Sequence, residues 1–395
     1  MTPTFTRDRI TWLAYLMLAF YAYFLNSFGP ITPFLKSEMS LSYTLSSFHF
    51  SAFALGMIAA GLGGHLLIER IGRWRALWTG AVGMSLSGLL LISTRLPALT
   101  ITSSFLMGLV GSLILAVVPS LLSDHHGEMR TVAISEANVI ASVVSAAAPL
   151  LVGWFAPSIF GWRAALAVGA CLPLVMRLLL GKGIKLPAAS EAEDSSLKGQ
   201  PLPARYWVFW SALVLAVSVE FCMVFWCADF LEKQLGVPKT SAAQAVSLFL
   251  GGMILGRWAC SRLVTRFRTE TVVVGSLLAA AAGFLVFWLA PVPWLSSAGL
   301  FVCGLGVAGL YPLLLSLAVG SASGSSVQAG ALSSLASGAA IFSLPLVLGR
   351  LADGFGIRSA YGVILFLLAG VLVIVLGAVR LQVKTAHPAQ SGQKS

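Results

Sequence analysis

At 395 residues, 58% hydrophobic and 10% charged, the chain is far more apolar than a soluble protein, which carries about a quarter charged residues. The formal net charge of +11 does not indicate a nucleic-acid partner, because Lys and Arg stand in short clusters between apolar runs and not along one face. The apolar runs are continuous, reach the roughly 20 residues that cross a bilayer as helix, and lack the alternation of a membrane barrel. The fold class expected is an all-α membrane protein whose first partner is the lipid bilayer.

Twelve transmembrane helices are predicted, over 10–34, 45–68, 76–93, 97–122, 131–155, 162–180, 206–231, 241–264, 271–290, 294–319, 328–349 and 359–380. The first follows Arg7-Asp8-Arg9 and is too long for the apolar core of a cleaved leader, so it reads as an uncleaved span. It carries Tyr23 and Asn26, the latter three residues before Gly29-Pro30, where a kinked helix turns polar atoms inward. His49 near the start of the second span reads as an interfacial residue that could titrate near neutrality. The turn Asp124-His125-His126-Gly127-Glu128 superficially resembles a metal cluster, but adjacent histidines on a short turn rarely give tetrahedral geometry. No metal site and no cofactor is expected. Cys171, Cys222, Cys227, Cys260 and Cys303 all lie in apolar runs without ligand spacing and read as small core residues.

Between the sixth and seventh spans the chain turns rich in Pro, Ser and charge, the composition of a flexible linker. This divides it into a six-helix bundle at 1–181, a linker at 182–205 and a second bundle with a short tail at 206–395. The halves echo one another. FALGMI at 53–58 recurs as FLGGMI at 249–254, FLMGL at 105–109 as FVCGL at 301–305, and PLLVG at 149–153 as PLVLG at 345–349, always 196 residues on. A common offset across three helix pairs argues for a duplicated unit, hence two pseudo-symmetric six-helix bundles with a substrate site near midplane between them. Basic clusters at Arg70, Arg73 and Arg75, in the linker, and at Arg262, Arg266 and Arg268 set the orientation: both termini in the cytoplasm and a multi-pass inner (plasma) membrane protein. The small-residue loop 321–326 permits close approach of the helices it joins.

The loop after the second span, with His65 followed by Glu69-Arg70-Ile71-Gly72-Arg73, resembles the Gly-x-Leu-x-Asp-Arg-x-Gly-Arg motif of the major facilitator superfamily. Glu69 takes the acidic place and His65 replaces the first glycine. Glu220, Trp226, Phe249, Gly252, Gly256 and Arg257 resemble in order the seventh- and eighth-span pattern of the fucose-permease-like branch. Other superfamily features are altered: Ser104 stands where many proton-coupled relatives carry a fourth-span Arg, and the fifth-span Gly-Pro-x-x-Gly-Gly survives as Ala148-Pro149-Leu150-Leu151-Val152-Gly153. The resemblance implies the twelve-helix major facilitator fold and alternating-access transport, with Glu69, Arg70 and Arg73 serving the cytoplasmic gate.

The candidate site residues follow from the cost of burying charge. Glu220 lies about 14 residues, or ~21 Å, into its span and reads as the only mid-depth carboxylate, a group able to take up and release a proton. Arg257 and Glu136 both lie roughly 9–12 Å deep from the cytoplasmic side and could pair as a gating latch. Pairing of Arg257 with Glu220 competes with this, as does snorkelling of Arg257 with Glu136 at its helix start. Tyr23, Asn26, Asn138, Trp226 and Tyr311 are candidate cavity groups, with helix packing or interfacial anchoring as the alternative for the aromatics. The chain has no Gly-x-x-x-x-Gly-Lys-Ser/Thr loop to bind nucleotide and no paired catalytic groups, so an enzyme is not expected. The expected function is secondary transport of a small organic solute, sugar-like or an organic acid, by proton symport through a monomer. The alternatives are a proton-driven drug or metabolite exporter and, further off, a transport-inactive receptor.

Overall fold

The computed structural model describes residues 5–181, 202–321 and 326–386. Every regular element among them is helical: α1 (Arg9–Met39), α2 (Tyr43–Ile71), α3 (Arg73–Ser93), α4 (Pro97–His126), α5 (Arg130–Phe155), α6 (Arg163–Leu179), α7 (Ala204–Leu235), α8 (Lys239–Leu263), α9 (Thr269–Leu289), α10 (Pro293–Val307), α11 (Leu310–Gly320), α12 (Ser326–Tyr361) and α13 (Val363–Ala386). Among the described residues nine helical segments are long and apolar enough to cross a membrane. Splitting the segment Pro97–Phe155 at its 3-10 turn, Gly127–Met129, and adding the shorter α6 and the apolar part of α13 brings the crossings to twelve, with α10 and α11 as one interrupted span. Most of the linker expected at 182–205 and most of the loop at 321–326 lie outside the described residues.

The helix ends follow from local chemistry. Asp8 caps α1 by accepting the Thr11 N–H at 2.9 Å, and Ser42 caps α2 by accepting that of Leu45 at 3.1 Å, satisfying donors that the first turn leaves open. Pro97 and Pro293 occupy the first turns of α4 and α10, where a missing N–H is harmless. Gly72 separates α2 from α3 at φ 81° and ψ 155°, a backbone conformation open to glycine and strained for other residues. The glycine in the Glu69–Arg73 motif is therefore dictated by the turn. Gly356 repeats this conformation near the end of α12, at φ 78° and ψ 155°.

The helices gather into two compact units. The first holds the described residues of Met1–Ser195, Met223–Gly251 and Ile341–Ala360, and the second those of Ser196–Cys222, Gly252–Ala340 and Tyr361–Ser395. The sequence repeat is visible as packing inside each. In the first, Gly56 of α2 lies so close to the Phe105 carbonyl of α4 that a Cβ has no room; in the second, Gly252 of α8 meets the Phe301 carbonyl of α10 in the same way. Both partners are displaced by 196 residues. Within the first unit Gly153 backs onto Thr240 and Gln244 of α8, and Gly349, again 196 residues on, backs onto Tyr43 and Ser47 of α2.

We call the face where α1 starts the near face and the face where it ends the far face. At the far end of the first unit the core is aromatic. Phe50 stacks on Phe225 at 4.0 Å between centroids, and Trp226 stands edge-on to Phe50 at 5.7 Å. Two expectations need correction. His49 is buried, with its ring nitrogens 2.8 Å from Thr100 Oγ1 and 3.1 Å from the Ser46 carbonyl, so it is a core residue tied to α4 and not an interfacial one. Cys171 is exposed, unlike the other four cysteines, because it lies on the outward side of α6.

Candidate functional site

The second unit brings Glu220 of α7 together with Arg257 of α8 and Tyr311 of α11. Arg257 Nη2 is 3.9 Å from Glu220 Oε1, with the side chains 46% and 18% exposed. That separation is too long for a hydrogen bond, so the contact is electrostatic and partly open. The Tyr311 hydroxyl faces Ser337 of α12 and lies within electrostatic reach of Glu220. Local sequence explains the meeting. Gly256 lets α8 press against Leu305 and Ala308, at the point where the tenth span breaks between α10 and α11. Arg257 follows that glycine and Tyr311 follows the break, so close packing places both near Glu220. The step from α10 to α11 is mild: Ala308 and Gly309 keep right-handed helical dihedrals, and Pro312, one turn after Ala308, has no N–H to offer its carbonyl.

The remaining candidates lie elsewhere. Glu136 is gripped by Arg7 at 2.6 and 2.8 Å and accepts the Tyr15 hydroxyl at 3.1 Å, so it is Arg7, from the segment before α1, that neutralises it. Glu136 thus has its own cation within the first unit, as Arg257 has its own carboxylate, Glu220, within the second. The Arg7 guanidinium is held above its ordinary value by the hydrogen bond and charge of Glu136. Tyr23 is buried and donates to the Ala165 carbonyl at 2.7 Å, a packing contact of α1 with α6. Asn26 donates to the Ala22 carbonyl at 2.9 Å and to Ser145 at 3.1 Å, joining α1 to α5. Asn138 is exposed and folds back onto the Ile134 carbonyl one turn earlier, at 2.8 Å. Trp226 is fully buried and donates to the Pro345 carbonyl at 3.2 Å. Tyr23 and Trp226 are therefore helix-packing groups in this conformation and line no open space. Glu69 and Arg70 are exposed, and Arg73 pairs with Asp124 of α4 at 2.5 Å.

A buried carboxylate escaped the sequence reading. Asp229, nine residues beyond Glu220 on α7, has no exposure and accepts from Lys36 of α1 at 2.8 Å. The seventh span thus carries a carboxylate near its far end as well as Glu220. Asp229 falls two residues from the predicted span end and Lys36 two residues past another, positions that read as interface. Nearby, Asp353 accepts the Tyr43 and Thr44 N–H groups at 2.7 and 2.8 Å, so a residue of α12 caps α2. Glu38 takes a bidentate contact from Arg163 at 2.6 and 3.0 Å, and the Trp162 indole N–H at 2.8 Å. The two histidines of the 124–128 turn go to other partners: His125 to Asp8 and His126 to Thr11, both at 2.8 Å.

With this geometry in view, comparison with known proteins is consistent. A family model described as Major Facilitator Superfamily matches residues 12–325. The chain is 21% identical over 310 residues to a Protein TsgA homolog from Erwinia tasmaniensis, covering 76% of this chain and 77% of that one. Its fold is similar to that of a bacterial homolog of the human lysosomal transporter Spinster in an inward-facing, unoccupied conformation, with a TM-score of 0.74, 15% identity and 94% and 95% of the two chains covered. It is similar also to the nucleoside transporter NupG, with a TM-score of 0.72, 12% identity and 94% and 98% covered.

Proposed function

The chain belongs to the Major Facilitator Superfamily, and from that premise we propose that it moves a small organic acid together with a proton by alternating access, with Glu220 as the proton carrier. Secondary transport of a small solute is what the family membership and the transporter folds it shares support. Symport, the organic acid and the cytoplasmic placement of both termini in an inner membrane are our own reading. The observation that carries it is the loose contact of Arg257 with Glu220, within electrostatic reach of Tyr311.

An ionised Glu220 supplies a counter-charge to Arg257 at 3.9 Å. When a proton from solution settles on the Glu220 carboxylate, that counter-charge is lost and the guanidinium favours another anion. A substrate carboxylate meets this need, and the Tyr311 hydroxyl can orient it. Departure of the substrate restores the pull on the proton, which leaves from the side then open. A sugar would not answer the charge on Arg257, which is why the acid is favoured. One proton and one carboxylate thus travel together, and neither binds well without the other.

The test is transport into vesicles holding the purified protein and a pH-sensitive dye, offered a panel of small mono- and dicarboxylates and neutral sugars. A carboxylate should enter with protons, and Glu220→Gln should lose accumulation driven by a pH gradient while keeping solute exchange. Proton-linked entry of a neutral sugar alone would discard the acid. Full accumulation by Glu220→Gln would discard Glu220 as carrier.

A further inference from the structure

We infer that Lys36 and Asp229 form an ionic latch at the far end of the first unit, positioning residues that hold this end shut and allow it to reopen during transport. The Asp229 carboxylate is wholly buried and the Lys36 side chain 10% exposed, with Nζ 2.8 Å from Oδ1. The same ammonium sits 3.2 Å from the centre of the Tyr43 ring and 6.0 Å from that of Trp226. Four helices converge on it. Gly29 lets α1 touch the Val224 carbonyl of α7, Phe50 of α2 stacks on Phe225, Trp226 bonds to Pro345 of α12, and Asp353 of α12 caps α2 at Tyr43 and Thr44. The second oxygen of Asp229 is buried without a hydrogen bond, and the Tyr43 side chain faces the carboxylate together with Lys36. Glu232 and Lys233 follow one turn on, 3.3 Å apart.

The use of charge at this point is informative. Apolar residues of similar size would close this end at least as firmly, since replacing a buried ion pair by well-packed hydrophobic groups is often neutral or stabilising. They would resist opening, because every apolar surface exposed to water opposes it. A charged pair behaves in the opposite way: Lys36 and Asp229 both recover hydration when they part. An ionic closure therefore keeps the shut and open states close in free energy, which a transporter needs and a static core does not.

This inference rests on the alternating-access reading, and its test uses no solute, so that the latch can fail while transport stands. Deuterium uptake of the full chain in lipid nanodiscs is compared, by mass spectrometry, for wild type, Lys36→Met, Asp229→Asn, the swap Lys36→Asp with Asp229→Lys, and the apolar pair Lys36→Met with Asp229→Leu. Each single change should raise uptake in peptides 36–50 and 223–236. It should also lower uptake in 61–75, the near end of α2, where Leu62, Leu66 and Leu67 are exposed in this conformation. The swap should move both regions back toward wild type, and the apolar pair should give uptake at 36–50 at or below wild type. Singles indistinguishable from wild type would overturn the latch. So would an apolar pair as open as the singles, or a rise at 61–75 together with 36–50, which marks general loosening. Should the singles fail to fold, the swap and the apolar pair decide by the same criteria.

Discussion

Glu220 and Asp229 stand nine residues apart on one helix, and each faces a cation, yet their settings differ in every physical respect. Asp229 is dry, 2.8 Å from its ammonium and walled by Tyr43, Trp226 and Phe50. Glu220 is 18% exposed, 3.9 Å from a guanidinium that is itself 46% exposed. A tight desolvated pair has no cheap alternative to its partner, because separation inside the protein leaves a naked charge. A loose, wetter pair loses little when a proton or another anion intervenes. An acid paired with a base thus suits two different tasks: a dry, tight pair suits closure of one end, and a loose one suits exchange of what it holds.

The contrast can be broken by thermal unfolding. Asp229→Ala deprives the Lys36 ammonium of its partner and should cost up to about 3–5 kcal/mol, the penalty typical of half a buried pair, with opening of the latch relieving part of it. An unchanged melting midpoint would mean that water reaches the pair in solution, and the distinction drawn above would collapse. Asp353→Ala should cost less, about 1–2 kcal/mol, since it removes a cap from two N–H groups that water can partly replace. Glu220→Gln should change stability by less than about 1 kcal/mol, as befits a partly exposed contact, while under the proposed function it should abolish proton-driven accumulation. A loss comparable to that of Asp229→Ala would make Glu220 a structural residue.

The large features were legible because they are repeated or averaged over many residues. Helical spans follow from about 20 apolar residues in a row, and the duplication from one offset shared by three segments. Glu220 and Arg257 were legible because a charge deep in a span has few explanations. Which partner each charge chose was not legible. Arg7 reaches Glu136 across 129 residues of sequence, and Lys36 reaches Asp229 across 193, contacts that only the packing of whole helices decides. Trp226 and Tyr23 misled for a related reason: an aromatic with a polar atom looks alike whether it lines water or donates to a carbonyl.

A third carboxylate marks the solvated end of the series and gives the smallest effect. Asp8 is 43% exposed and lies just before α1. Burial pushes its carboxyl upward, but hydrogen bonds from the Thr11 N–H and hydroxyl and from His125 outweigh this and hold it below the ordinary value. A carboxyl lowered by folding stabilises the protein above its unfolded pKa of about 3.9 and loses that contribution as pH falls through the folded value. Asp8→Ala should therefore lower the melting midpoint by under about 1 kcal/mol equivalent near neutrality, discounted for exposure. The difference from wild type should shrink once pH drops below about 4, because a protonated Asp8 gives up its charge-assisted bonds. Other carboxylates titrate in both proteins and cancel in the comparison. A difference that stayed constant from neutrality into acid would show that the ionised carboxylate adds nothing at the start of α1, leaving the cap as a neutral contact.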